Sequence, residues 1–128
     1  MARSASRSKR KTSGGLYKRL RKKRLTDLTR NPTFTRIGST SIKKIRIQGG
    51  HTKTITLLSD VANIYDPNSK SFKKVKIQMV VENKANKDFV RMNMLTKGAI
   101  IETELGKAKI TNRPGQEAFI NAILLSKK

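Results

Sequence analysis

The sequence predicts an all-β protein, in which a small antiparallel β-barrel-like domain follows a basic, largely non-regular N-terminal extension. Two observations support this prediction. From Thr33 onward apolar and polar residues alternate with period two, as in half-buried strands. Gly, Pro and Asn turn signals separate the short alternating runs, a spacing typical of small barrels. We place the domain boundary between residues 1–31 and residues 32–128.

The N-terminal extension is defined by its charge. Residues 1–31 hold 12 Lys and Arg against one acid, Asp27, which is half of the formal net charge of +22. Such a segment cannot bury enough apolar surface to offset the entropy of ordering itself, so we expect it to order on a polyanion. A thin apolar stripe is formed by Leu16, Leu20, Leu25 and Leu28. Any helix in that stretch is expected to form on a partner.

The first predicted hairpin joins strands at residues 42–48 and 52–58. A two-residue glycine loop would pair Ile45 with a threonine. A three-residue loop, residues 49–51, instead places Ile45 opposite Ile55, and we prefer it because it pairs apolar with apolar.

A second predicted hairpin joins a strand near residues 61–65 to a strand at residues 72–83. The turn between them has the signature Asp66-Pro67-Asn68-Ser69. The apolar face of the second strand is expected to hold Val75, Ile77, Met79 and Val81. Val80 is then the single apolar residue on the opposite face, with Lys74, Lys76, Gln78 and Glu82.

The third predicted hairpin joins strands at residues 99–104 and 107–112 through a two-residue loop of Leu105 and Gly106. This register pairs Ile101 with Ile110, Glu102 with Lys109, and Glu104 with Lys107. A further turn is predicted at residues 113–116. The last strand alternates, with Phe119, Asn121, Ile123 and Leu125 on one face.

Catalytic and metal chemistry find little support in the composition. The chain has no Cys and a single His, which excludes disulfides, a thiol nucleophile and a Cys/His zinc site. Surface ion pairs account for Glu102 and Glu104, and His51 lies in a glycine loop without an orienting carboxylate in nearby sequence. The glycine pairs lack the context of a phosphate-binding P-loop. We therefore predict a non-enzymatic protein with no catalytic residue, metal, cofactor or small-molecule substrate.

The charge predicts a polyanionic partner, which could be RNA, DNA or an anionic membrane. A membrane is the weakest of these, because no apolar run approaches the ~20 residues that span a bilayer. The N-terminus lacks the apolar stretch of a secretory signal, so we expect an intracellular protein, with a mitochondrial presequence as the alternative.

The predicted mode of binding is readout of phosphate and shape in folded RNA. With two Tyr, four Phe and no Trp, the chain lacks a base-stacking platform. If their strands are neighbours, four basic residues form one positive sheet face: Lys44, Arg46, Lys74 and Lys76. The predicted RNA-binding residues of the extension are Arg3, Arg7, Lys9, Arg10, Lys11, Gly14, Gly15, Tyr17, Lys18, Arg19, Arg21, Lys22, Lys23, Arg24 and Arg30. Those of the β domain are Arg36, Lys44, Arg46, His51, Lys53, Lys74, Lys76, Arg91 and Arg113.

Several motifs also resemble a known family. They are Thr12-Ser13-Gly14-Gly15, LRKKRLTDL at residues 20–28, Thr35-Arg36-Ile37-Gly38, and TKGAIIETELGKAKITNRPGQ at residues 96–116. Over essentially the whole chain the sequence resembles the eight-e family of small-subunit ribosomal proteins, in its short archaeal form. The resemblance implies a barrel-like body with a basic extension in the cytoplasmic small ribosomal subunit. It implies small-subunit ribosomal RNA and neighbouring ribosomal proteins as partners, without enzymatic activity. Composition alone would also allow a non-ribosomal, chromatin-like nucleic-acid binder.

Overall fold

A computed structural model describes residues 7–18, 22, 24 and 30–125. Internal contacts divide the chain into two units, Met1–Pro32 and Thr33–Lys128. The elements of the second unit, in chain order, are β1 (Ser41–Arg46), β2 (Thr52–Leu58), β3 (Val61–Asp66), β4 (Ser71–Glu82), α1 (Asp88–Arg91), β5 (Ile100–Thr103), β6 (Gly106–Ile110) and β7 (Asn121–Leu124). One turn of 3-10 helix, Gln48–Gly50, lies between β1 and β2. The predicted all-β class is confirmed.

Strands β3 to β7 form a closed barrel in which each strand pairs with the next along the chain. These pairs are antiparallel, as predicted, but β7 closes the barrel through a parallel pairing with β3. Closure removes the exposed sheet edges that would otherwise pair with other chains. The largest side chains inside, each at most 1% exposed, are Ile64, Ile101, Ile110 and Ile120. Burial of each contributes about 1.5–3 kcal/mol to stability.

Strands β1 and β2 form a separate two-stranded sheet. Such a sheet is marginal alone, and Thr56 of β2 joins it to other segments of the unit. The Thr56 N–H donates to the carbonyl oxygens of Pro114 and Glu117 at 3.2 and 3.1 Å, and its Oγ1 donates to the same Glu117 oxygen at 3.0 Å. The Thr56 carbonyl accepts a bond from Thr35 Oγ1 at 2.7 Å. These bonds anchor the small sheet without an apolar core of its own.

The β1–β2 loop has the predicted length of three residues but the wrong predicted position. It consists of Gln48–Gly50, and the Ile47 N–H donates to the His51 carbonyl oxygen at 2.8 Å to close it. Both glycines have positive φ, 71° and 78°, so they fill the second half of the turn and a residue must precede them. Ile45 therefore lies opposite Lys53, and the prediction that it faces Ile55 is wrong.

The β5–β6 loop also has the predicted length of two residues but consists of Glu104 and Leu105. Gly106, with φ of 126°, lies inside the ladder opposite Thr103. Thr103 is buried, and its Oγ1 donates to the Gly106 carbonyl oxygen at 2.7 Å. The ladder thus takes in Gly106 and moves the loop one residue toward the N-terminus.

This shift makes the three predicted β5–β6 pairs wrong. The observed pairs are Ile100 with Lys109, Ile101 with Ala108, Glu102 with Lys107, and Thr103 with Gly106. Ile101 and Ala108 are both fully buried, so a large side chain lies beside a small one on the inner surface of the barrel. The two isoleucines of the predicted pairing would place two large side chains there instead.

In β4 the predicted apolar face is correct for its first half only. Val75 and Ile77 are buried, but a register shift between Ile77 and Met79 reverses the alternation. Val80, predicted as an exception, is therefore a core residue at 3% exposure, and Met79 is half-exposed. The bulge lets the 12-residue strand pair with β3 at one end and β5 at the other.

The alternation predicted for the last strand places Phe119, Asn121, Ile123 and Leu125 on one face, but it is the other face of β7 that points into the barrel. Ile120 and Ala122 are buried, whereas Phe119, Ile123 and Leu125 are 50%, 41% and 38% exposed. The outward face also carries large apolar side chains beside Asn121, so the period alone did not distinguish the two faces. The parallel pairing with β3 decides the orientation, because Ala122 lies opposite the fully buried Ile64.

Two predicted turns are confirmed. In the β3–β4 hairpin, Asp66 accepts bonds from the Asn68 N–H at 3.0 Å and from Ser69 Oγ at 2.9 Å. At residues 113–116, the Gln116 N–H donates to the Arg113 carbonyl oxygen at 2.9 Å. Both turns are fixed by local hydrogen bonds, which is why their residues identify them in the sequence.

Candidate nucleic-acid interface

The described part of the N-terminal unit begins with a compact segment, residues 7–18, which we call the arm loop. The Tyr17 N–H donates to the Lys9 carbonyl oxygen at 2.9 Å, and the Lys11 N–H donates to the Gly15 carbonyl oxygen at 2.8 Å. The turn between them includes Gly14, which has a φ of 84° and donates to the Lys11 carbonyl oxygen at 3.0 Å. The arm loop therefore has its own local structure, a feature that the charge pattern alone did not reveal.

Cations are concentrated on this loop. Residues 7–18 include five basic residues and no acid: Arg7, Lys9, Arg10, Lys11 and Lys18. Every residue of the loop is solvent-exposed. The Arg10 Nη1 donates to the Gly14 carbonyl oxygen at 2.8 Å, which holds one guanidinium against the turn. Like charges gathered in this way repel one another unless an anion lies between them.

Tyr17 organises two of these cations. The Arg7 guanidinium carbon lies 3.8 Å from the centre of the Tyr17 ring, and Lys11 Nζ lies 5.7 Å from it. Cation–π contact of this kind holds a guanidinium by its face and leaves its in-plane N–H groups directed outward. Those groups form the donor fork that binds a phosphate with two hydrogen bonds.

Other predicted residues of the extension fall into two groups. Lys22, Arg24 and Arg30 are described and exposed. Outside the described residues lie Arg3, Arg19, Arg21 and Lys23. The predicted helix that forms on a partner involves Leu16, Leu20, Leu25 and Leu28, and most of these residues also lie outside the described residues. Leu16 is described and forms a β-bridge with Arg10.

The predicted positive sheet face does not exist as a single face. Lys44 and Arg46 belong to β1 in the two-stranded sheet, opposite Thr54 and Thr52. The other two, Lys74 and Lys76, belong to β4 in the barrel. The prediction assumed that β1 and β4 are neighbours, and barrel closure excludes this because β3 and β5 occupy both sides of β4.

One predicted residue of the small sheet, Lys53, instead contacts a distant turn. Lys53 Nζ donates to Gln116 Oε1, which links β2 to the turn that begins at Arg113. On the neighbouring strand Arg46 ends β1, and the exposed His51 follows the 3-10 turn. Four predicted residues of this hairpin and the adjoining turn, Arg46, His51, Lys53 and Arg113, are called the hairpin patch here. Arg46 lies opposite Thr52 and Lys53 opposite Ile45, so these two side chains are on opposite faces of the sheet. The hydrogen bonds from Thr56 of β2 to residues 114 and 117 bring the turn that begins at Arg113 to this sheet.

The remaining predicted residues stand apart. Arg36 is exposed, and its backbone bridges two segments, because it pairs with Leu58 on one side and with Met94 on the other. Arg91 ends α1 and is exposed. On the barrel, Lys74 and Lys76 lie on the outer surface of β4, opposite Asn63 and Val61.

Little in the described residues is arranged for catalysis. In that part of the chain, no three His, Cys, Asp or Glu side chains are grouped to hold a metal ion. Nor is there a described helix of the length and apolarity needed to cross a membrane. The pKa of Asp66 is lowered by hydrogen bonds from Ser69 and Asn68, which makes this carboxyl a turn residue and a poor proton donor.

Comparison with known proteins agrees with the geometry. Residues 4–125 match the family model described as ribosomal protein S8e. The small ribosomal subunit protein eS8 of Nanoarchaeum equitans is 50% identical over 120 residues, covering 93% of this chain and 94% of that protein. The proteins of the same name from Methanocorpusculum labreanum and Methanococcus aeolicus are 49% and 48% identical, covering 92% and 93% of this chain and 94% of each relative.

The family match covers both the arm loop and the whole barrel, and the relatives are close to this chain in length. It confirms the resemblance drawn from the four motifs and the non-enzymatic prediction. Because the family model and the relatives match this chain over nearly its whole length, the chain belongs to the ribosomal protein S8e family.

Proposed function

We propose that this chain is a structural constituent of the small ribosomal subunit in the cytoplasm, where it binds small-subunit ribosomal RNA. Its relatives are named as small ribosomal subunit proteins, and they match more than nine-tenths of the chain. The observation that supports RNA binding is the arm loop, in which five cations lie within residues 7–18 and the Arg7 guanidinium packs on the Tyr17 ring.

The proposed mechanism is neutralisation of phosphates where RNA strands crowd together. Residues 1–31 contribute about +11 and the rest of the chain the other +11, so both units take part. In the extension the arginines give two-donor contacts to phosphate, and the lysines give adaptable point charges. In this proposal, all of the RNA-binding residues predicted within residues 1–31 contact ribosomal RNA.

The β unit adds two smaller contact regions in this proposal. One is the hairpin patch, whose glycine turn allows close approach of the backbone to phosphate. The other is the outer surface of β4 at Lys74 and Lys76. Arg36 and Arg91 are proposed as separate contacts. Neighbouring ribosomal proteins are expected to occupy the remaining surface.

The test is the salt dependence of binding between the full chain and small-subunit ribosomal RNA. If ~10 phosphates are engaged, log affinity falls with log salt concentration with a slope of about −7 to −9. A slope near zero would overturn the proposal, because it would remove phosphate contact as the source of affinity.

Sedimentation separates the ribosomal role from general nucleic-acid binding. The tagged full chain is expected to stay with small subunits after a high-salt wash. Its release into a DNA-bound fraction would contradict the ribosomal assignment even if the salt slope were steep.

A further inference from the structure

Strand β7 has apolar side chains on both of its faces, although one face lies outside the barrel, where Asn121 is its polar residue. Ile120 and Ala122 fill the interior, and the outward side chains Phe119, Ile123 and Leu125 are also apolar. A strand with two apolar faces is typical of sheets covered on both sides. Among the described residues, the elements that mainly contact β7 are its strand neighbours β3 and β6.

The outer face continues across neighbouring strands as a strip, which we define as Phe72, Tyr65, Ile123 and Leu125. Tyr65 lies opposite Phe72 in one ladder and opposite Ile123 in the other. The Tyr65 and Phe72 rings are 5.0 Å apart, and Phe72 is 77% exposed. Leu125 follows Ile123 on the same side, and its N–H donates to the Lys107 carbonyl oxygen at 2.8 Å.

At one end the strip opens into a groove of about 530 Å³. Ile123 and Leu125 line it together with Thr111, Lys97 and Lys109. Lys97, Lys107 and Lys109 are all exposed around this end, and Glu102, opposite Lys107, is the acid beside them. The groove is thus aliphatic at its base and positive at its rim.

We propose that this strip and groove bind a neighbouring protein through an acidic segment that carries spaced apolar side chains, an inference that rests on the proposed place of the chain in the small ribosomal subunit. The apolar side chains exposed in the groove are the aliphatic Ile123 and Leu125, which gain by burial against apolar side chains, whereas bases stack on planar groups such as Tyr65 and Phe72 at the other end of the strip. The lysine rim selects carboxylates on the same segment. A second copy of this chain is disfavoured because its net charge of +22 opposes self-association.

A site-specific photo-crosslinker tests this proposal in the full-length chain inside cells. p-Benzoylphenylalanine replaces Phe72, which is exposed at the strip, and a matched control places it at Met79, which is 51% exposed on β4 beyond the bulge. After irradiation, adducts are digested with ribonuclease or protease and mapped by mass spectrometry. We expect the Phe72 position to give a protein adduct at an acidic segment with apolar residues, and the Met79 position to give a different adduct or none.

Dependence on the groove is the second part of the test. The double variant Ile123→Ser/Leu125→Ser should lower the yield of that adduct by about ten-fold, as loss of two aliphatic contacts predicts. Lys97→Glu/Lys109→Glu should lower it similarly with the apolar base intact, which covers the case in which the first variant is poorly folded. An RNA adduct, a second copy, no adduct, or a yield unchanged by both variants would overturn the proposal. Sedimentation of the crosslinked species reports separately on ribosomal placement.

Discussion

Arg7 stacks on Tyr17, with its guanidinium carbon 3.8 Å from the ring centre, and this contact fixes one end of the arm loop. Tyr17→Leu removes the ring and should weaken binding to small-subunit ribosomal RNA by about 2- to 5-fold, the range that an exposed cation–π contact supplies. Tyr17→Phe keeps the ring face and should bind like the unmodified chain. Filter binding at one fixed salt concentration makes the comparison, and equal losses in both variants would rule out the ring as the cause.

The bulge in β4 provides a matched pair of neighbouring valines. Val80 is 3% exposed and Val81 is 36% exposed. Val80→Ala should lower the free energy of unfolding by about 2 kcal/mol through lost burial and a small cavity. Val81→Ala, the same chemical change one residue later, should cost about 0.5 kcal/mol or less. Urea unfolding followed by circular dichroism measures both, and a larger loss at Val81 would contradict the observed register shift.

These valines also show which features of a strand the alternation pattern can predict. Period two correctly indicates a strand over residues 72–83, but Met79, Val80 and Val81 are all apolar, so either face could be the buried one. The bulge that selects Val80 depends on pairing with β5, a contact about 20 residues away in the chain. The same holds for β7, whose inner face is selected by its parallel partner Ile64.

The two misplaced hairpin loops have a local cause. In both, loop length follows from the spacing of the strands, but its position depends on which residues adopt positive φ. Gly49 and Gly50 take the second half of one turn, whereas Gly106 lies in the ladder rather than in the loop. A glycine marks conformational freedom in the sequence without specifying whether the turn or the strand uses it.

The candidate site was predictable in its charge and not in its geometry. Twelve basic residues in residues 1–31 identify the extension as cationic without any structure. The stacking of Arg7 on Tyr17 joins residues ten apart, and the Thr-Ser-Gly-Gly turn between them is the signal that could have indicated it. By contrast, the hairpin patch joins Lys53 to Gln116, for which a short motif carries no information.

Asp66 gives the β3–β4 turn a pH dependence. Hydrogen bonds from Ser69 and Asn68 lower the pKa of this carboxyl in the folded chain below its ordinary value of 3.8. Between these two pKa values the unfolded chain binds more protons, so stability rises with pH there. The contribution is complete above the unfolded-state pKa and is lost as pH falls through the folded-state pKa.

Asp66→Asn should remove that dependence; its single amide oxygen can keep the bond from the Asn68 N–H, whereas the bond from Ser69 Oγ to the second carboxylate oxygen is lost. The expected result is a smaller fall in urea midpoint from pH 5 to pH 2.5 in the variant than in the unmodified chain. Asp60→Asn is the matched control, because Asp60 accepts one side-chain bond, from Thr40 Oγ1 at 2.9 Å, and lies outside the turn. If Asp60→Asn flattened the profile as much as Asp66→Asn, the turn would not be its source.

Deletion of residues 1–31 tests the proposed division of labour between the two units. The deletion removes 12 basic residues and one acid, which halves the net charge to about +11. Because the barrel core and the bonds of Thr56 lie within residues 33–128, the truncated chain should keep its β circular dichroism and a cooperative unfolding transition.

RNA binding should respond in proportion to the phosphates lost. If charge divides the ~10 contacts evenly, the slope of log affinity against log salt falls to about half its full-length value. Lys74→Gln/Lys76→Gln in the full chain is the control, since removal of two barrel cations should reduce the slope by about 1.4 to 1.8. Loss of the β signal on truncation would place the boundary elsewhere, because it would show that the extension contributes to the fold. A slope that is unchanged by truncation would instead assign the phosphate contacts to the barrel alone.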